Sequence, residues 1–175
     1  KVAFRKRYTP VTSLSLGSVK NDTGRSAYCG PAVVSALTGA TVSQVEQAIH
    51  HYRWAYARGR AGANHQVRGT NYAELRYAFR QWGVHLPMRS FEYKGVGAKA
   101  KPTFAEFCRL RGKVDYVPFG VNDCLLIALS ASTPHWVLLK GRKRVDAWSV
   151  HPIFLKESTK WRRSRVLDVT PLSLL

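Results

Sequence analysis

The chain is short of acid. Only ten Asp and Glu stand against twenty-eight Lys and Arg in 175 residues, a formal net charge of +18. Such a field favours polyanionic neighbours, whether nucleic acid, an anionic surface or an acidic protein, and says nothing of fold. Cysteine is scarce as well. Cys29, Cys108 and Cys124 are an odd set without C-x-x-C spacing, which argues against a disulfide framework and a zinc site and favours a reducing compartment. No run approaches the ~20 apolar residues of a membrane span, and the basic start KVAFRKRYTP is not followed by the apolar core of a secretory signal. The six histidines include no H-x-x-x-H pair, so neither a metal nor a cofactor is expected. Repeats, low-complexity tracts and linkers are missing too.

What is present reads as one domain of residues 1–175, with 45% hydrophobic residues to supply a core. A basic N-terminal arm covers about residues 1–20, and a basic C-terminal tail about 156–175. After the turn-rich stretch NDTGRSAYCGP, a helix begins at or just after Cys29, with Pro31 in its first turn and Gly39 at its end. A second helix starts near Ser43, where Ser43 and Glu46 form an S-x-x-E capping box. A third follows Asn71 and buries Leu75, Phe79 and Trp82, and a short fourth starts at Thr103 with Glu106 three residues on. The period then changes. CLLIALSA, HWVLLK and RVDAW read as neighbouring antiparallel strands joined by STP and GRK turns. Helices first and a sheet second give an α+β class, with the Cys-bearing helix packed on a C-terminal antiparallel sheet.

A cysteine attacks as thiolate, so a catalytic one needs its pKa lowered by a helix N-terminus, an imidazole, or both. Cys29 stands where both can act. His135 opens the strand HWVLLK as candidate base. Asp146 lies in the next strand, near enough across a turn at Gly141–Lys143 to orient that ring. Asp115 and Asp123 stand in no strand directly paired with that of His135. Cys108 and Cys124 sit in apolar runs and read as core. Trp136 and Trp148 flank the site as packing or as walls of a groove.

YCGPAVVSALTG followed far downstream by HWVLLKGRKRVDAW resembles the papain-like cysteine peptidases. The likeness is to the compact branch with the bacteriocin-leader-processing peptidase domains, and to small papain-like proteins encoded by bacteriophages. It spans roughly residues 21–148, and the order Cys29…His135…Asp146 matches that superfamily. It implies a papain-like fold, a polypeptide substrate and a Cys-His-Asp triad. Relatives place a Gln a few residues before the Cys as an oxyanion donor. Thr23 stands about there in this chain, and Asn21 is the nearest amide, so Asn21 is the candidate second donor beside the Cys29 backbone N–H.

Three basic clusters carry a second expectation. They comprise Arg53, Arg58, Arg60 and Arg68 within an acid-free stretch from Gln47 to Ala73, Lys140, Arg142, Lys143 and Arg144 at the hairpin turn, and Arg162 and Arg163 near the C-terminal end. Sequence-tolerant, salt-dependent contacts to nucleic acid or another polyanion are expected of them. The function expected is thus a cysteine hydrolase with a polyanion-binding surface, in a cytoplasm or a virion. The alternative is a nucleic-acid-associated or structural protein, of a phage particle or another larger assembly, that keeps the fold with little activity.

Overall fold

The computed structural model describes residues 8–56, 66–92, 101–113 and 119–175. Helix α1 (Cys29–Thr38) is followed by α2 (Val42–Tyr56), α3 (Tyr72–Gln81), β1 (Val84–His85), β2 (Phe91–Glu92) and α4 (Phe104–Leu110). Then come β3 (Leu125–Leu129), β4 (His135–Lys140), β5 (Lys143–Val145), β6 (Ile153–Phe154), a 3₁₀ turn at Leu155–Glu157, β7 (Val166–Pro171) and β8 (Ser173–Leu174). The class is α+β, with every strand pair antiparallel. None of these helices is long and apolar enough to cross a membrane.

Strand β3 explains the architecture. All five of its residues are buried, so it reads as a continuous apolar run rather than an alternating one. Its side chains still alternate between two faces. Leu126 and Ala128 join Leu138, Val145 and the residues of α1, α2 and α3 in one core. Leu125, Ile127 and Leu129 join Val137, Leu139, Val166, Val169 and the α4 residues Phe104 and Phe107 in the other. The six-stranded sheet, in the order β2-β7-β3-β4-β5-β6, is therefore covered on both sides. Each large side chain buried completely in these cores contributes about 1.5–3 kcal/mol over leaving it in water.

The helices end as their caps dictate. Asn71 with Glu74, and Thr103 with Glu106, make reciprocal capping boxes at α3 and α4. Gly39 closes α1 at φ +74°, donating to Ser35 O, a conformation that costs a residue with a Cβ. The second helix departs from expectation. It starts at Val42, and the reciprocal pair at its N-terminus is Thr41 with Gln44. Ser43 bonds Asp22 instead, and the buried Glu46 pairs with Arg25 at 2.9 Å. Thr41 is held by a bridge to Lys20, and the capping position falls there, two residues before Ser43.

The basic tail expected from about residue 156 is not a tail. Its second half is β7, paired with β3 on one side and β2 on the other, and β8 pairs with β1. The N-terminal arm, from Tyr8 on, is tied down. Tyr8 stacks on Trp82 at 4.3 Å, Val11 N donates to Trp82 O, and Val19 N donates to Val150 O.

Candidate active site

Cys29 is the first residue of α1. Tyr28 at the N-cap offers no side-chain cap, which leaves the first-turn N–H groups pointing out of the helix without an internal partner. Gly30 follows because nothing larger fits. A Cβ there would lie 2.0 Å from Thr70 Oγ1 and 2.6 Å from its Cγ2, so α1 and the segment before α3 touch backbone to side chain. Helix α1 packs on β4, whose first residue is His135.

The two elements bring sulfur and imidazole together. The Cys29 thiol and the His135 ring share a hydrogen bond, and the backbone N–H groups of Trp136 and Gly30 also reach the sulfur. Burial opposes ionisation of this thiol, but those hydrogen bonds and the imidazole charge outweigh it and draw its pKa below the ordinary value. Burial likewise disfavours a charged His135, yet Asp146 and Cys29 raise its pKa. The pair thus tends toward thiolate and imidazolium.

His135 Nε2 lies 2.9 Å from Asp146 Oδ2, which leaves Nδ1 for the sulfur. Asp146 follows β5 directly and is fully buried. Its Oδ1 accepts from Trp148 N at 3.1 Å and Ser149 N at 2.8 Å, and its own N–H donates to Ser149 Oγ, so the loop folds around the carboxylate. Burial works against this charge, but His135, the Ser149 amide and the Arg144 guanidinium pull its pKa down to about 2. The carboxylate stays ionised across the useful pH range.

Trp161 completes the site. Its ring stacks on His135 at 4.2 Å and 24°, and its Nε1 donates to Asp146 Oδ2 at 2.7 Å. The residue sits at φ +69°, where a side chain costs about 1–2 kcal/mol, so surrounding contacts hold it there against local preference. Trp136 is buried, with Nε1 3.3 Å from Thr70 O, and belongs to the core. Trp148 is 65% exposed, with Lys160 Nζ 3.1 Å above its ring.

Several assignments made from sequence change. Asn21 is taken up by its own loop: Nδ2 donates to Arg25 O at 2.6 Å, and Oδ1 accepts from Thr23 N and Oγ1. It is thereby placed as a turn former. Arg144 is 2% exposed and ion-paired with Asp146 at 3.2 Å, so it is part of the site's interior rather than a surface contact. Arg53 pairs with Glu74 at 2.7 Å and donates to Gly69 O. Lys140 donates to Leu14 O. Of the cations assigned to polyanions, Arg68, Arg142, Lys143, Arg162 and Arg163 are exposed, while Arg58 and Arg60 lie outside the described residues. Asp123 accepts from Gly120 N, and Asp115 also lies outside them.

The Asp-x-x-Ser spacing at Asp146–Ser149 is a local signal for the turn that fixes the carboxylate. Trp161 has no such signal, being fifteen residues further on and preceded by a run of polar and basic residues. No family model matches the chain, and comparison with curated proteins and with solved structures likewise finds no match.

Proposed function

We propose that the protein is a papain-like cysteine hydrolase that cleaves peptide or isopeptide bonds. The reading rests on one observation: a thiol at a helix N-terminus is hydrogen-bonded to an imidazole whose far nitrogen is held by a buried carboxylate. The Cys–His–Asp order along the chain, and the placement of the Cys on a helix and the His on an antiparallel sheet, agree with that superfamily.

In this reading the Cys29 thiolate attacks the substrate carbonyl and forms a C–S bond. The carbonyl oxygen becomes an oxyanion facing the Cys29 backbone N–H, at the positive end of α1. As the tetrahedral adduct collapses, the C–N bond breaks and His135 Nδ1 gives its proton to the leaving amine. His135 then takes a proton from water, which attacks the thioester and releases the acid and the thiol. Asp146 keeps the ring oriented throughout and stabilises its charged form. Trp161 covers one face of the ring and excludes water from the His–Asp bond.

Cys29→Ala is expected to abolish turnover of a peptide or isopeptide substrate and labelling by an electrophilic thiol probe, with thermal unfolding close to that of the parent. A variant that still hydrolyses such substrates would end the proposal.

The alternative, a nucleic-acid-associated protein that keeps this architecture without turnover, is favoured by one feature, the commitment of Asn21 to its own loop. The exposed cations add non-specific polyanion contact under either reading. Affinity for duplex DNA should then fall steeply with salt.

A further inference from the structure

A cavity of about 360 Å³ is lined by Arg144, the ion-pair partner of Asp146, and by Lys156, Lys160 and Arg162, with Ser158 and Cys108 among its other walls. Among its described lining residues there is no carboxylate. Four basic residues line this half-open space, and among the described residues only Arg144 of the four is ion-paired, to Asp146, so like charges gathered there favour an added counter-charge.

Arg144 makes the site more than a charged surface. It is 2% exposed, and its Nη2 donates to Ser158 Oγ at 3.1 Å. Its buried Nη1 makes no hydrogen bond: Asp146 Oδ2, 3.2 Å away, lies outside bonding geometry and already serves His135 and Trp161. A buried guanidinium with an unused N–H is costly to leave so. The Cys108 thiol, pushed by burial up to about 11, stays neutral and adds no competing negative charge.

We propose that this cavity binds a compact phosphate-class anion, with Arg144, Lys156, Lys160 and Arg162 as its cationic ligands and Ser158 as a hydroxyl donor. Several cations with a guanidinium fork suit a tetrahedral oxyanion carrying more than one charge better than a single carboxylate. The volume suits a small ligand rather than a duplex. A second cavity of about 670 Å³ shares Ala105 and Arg162 with the first and brings Arg163 with the hydroxyl residues Thr103, Thr159 and Ser164. Cations and hydroxyls therefore line both cavities beside Arg162. The inference does not rest on the thiol being reactive.

The test is calorimetric titration of the intact chain with tripolyphosphate at fixed ionic strength, beside two variants that each remove two exposed charges. Saturable one-to-one binding is expected. It should weaken at least about tenfold, roughly 1.4 kcal/mol, in Lys156→Gln/Arg162→Gln and stay unchanged in Arg89→Gln/Lys113→Gln, whose side chains are exposed away from the cavity lining. Thermal unfolding of both variants checks that the fold is kept. Equal weakening in the two variants would overturn the proposal in favour of diffuse surface charge. So would the absence of saturable binding, or duplex DNA binding that tripolyphosphate does not compete away.

Discussion

Cys29 and Cys124 pack against the same helix-covered core, yet their thiols are driven in opposite directions. Cys124 lies just before β3, and burial, only partly offset by the Lys140 charge, pushes its thiol up to about 12. Cys29 suffers the same desolvation, but an imidazole and two backbone amides reverse the sign. Burial alone makes a thiol inert. Reactivity is added by partners that only a particular meeting of helix and strand supplies.

The contrast is sharpest in alkylation. At pH 7 a thiol titrating at about 12 is ionised on the order of one part in 10⁵, and one at about 11 one part in 10⁴. Iodoacetamide should therefore label Cys29 well before Cys108 or Cys124, as peptide mass mapping would read; comparable rates at the three sites would erase the distinction.

Asp146→Asn is expected to lower turnover by about 10³-fold, because an amide in this position neither stabilises the imidazolium nor holds its tautomer. The same variant should flatten the acid limb of stability. A carboxyl whose folded pKa is about 2 against an ordinary 3.8 contributes about 2 kcal/mol above pH 5, lost as pH falls toward 2. Chemical denaturation across that window should show the slope in the parent and lose that contribution in the variant.

Removing the imidazole by His135→Ala should return Cys29 toward a common thiol and slow its alkylation at pH 7, because the partner that lowers its pKa most is gone. An unchanged rate would mean that the helix N-terminus alone suffices. The smallest effect is expected from Trp161→Phe, which keeps the stack on His135 and loses one hydrogen bond to Asp146: about tenfold in kcat with little change in KM.

The helices with strong local grammar were readable in advance. Asn71, Glu74, Thr103 and Glu106 bond as their spacing implies, and the β4–β5 hairpin closes where the Gly141 turn puts it. The thiol, imidazole and carboxylate meet because that hairpin and the start of α1 are both locally encoded. Other features depend on contacts far apart in sequence. Val166–Pro171 carries polar residues at alternate positions and a proline, so it reads as surface, and only pairing with β3 reveals a strand. Arg144 looks like one more cation in GRKR, but its position in β5 turns it inward onto Asp146. Thr41 outcompetes Ser43 because Lys20, more than twenty residues earlier, holds it. Asn21 looks like a spare amide until Arg25 folds back onto it.

The sheet's order of assembly has a consequence for timing. Strand β7 is translated after β3, β4 and β5, yet covers the flank of β3, and the indole that shields the histidine arrives only five residues before it. Until those residues leave the ribosome, β3 carries a bare row of amides and carbonyls, and the imidazole is open to water on the face Trp161 later occupies. A nascent chain thus holds Cys29 long before His135, Asp146 and Trp161 are present, and the four side chains meet only once the sheet is complete.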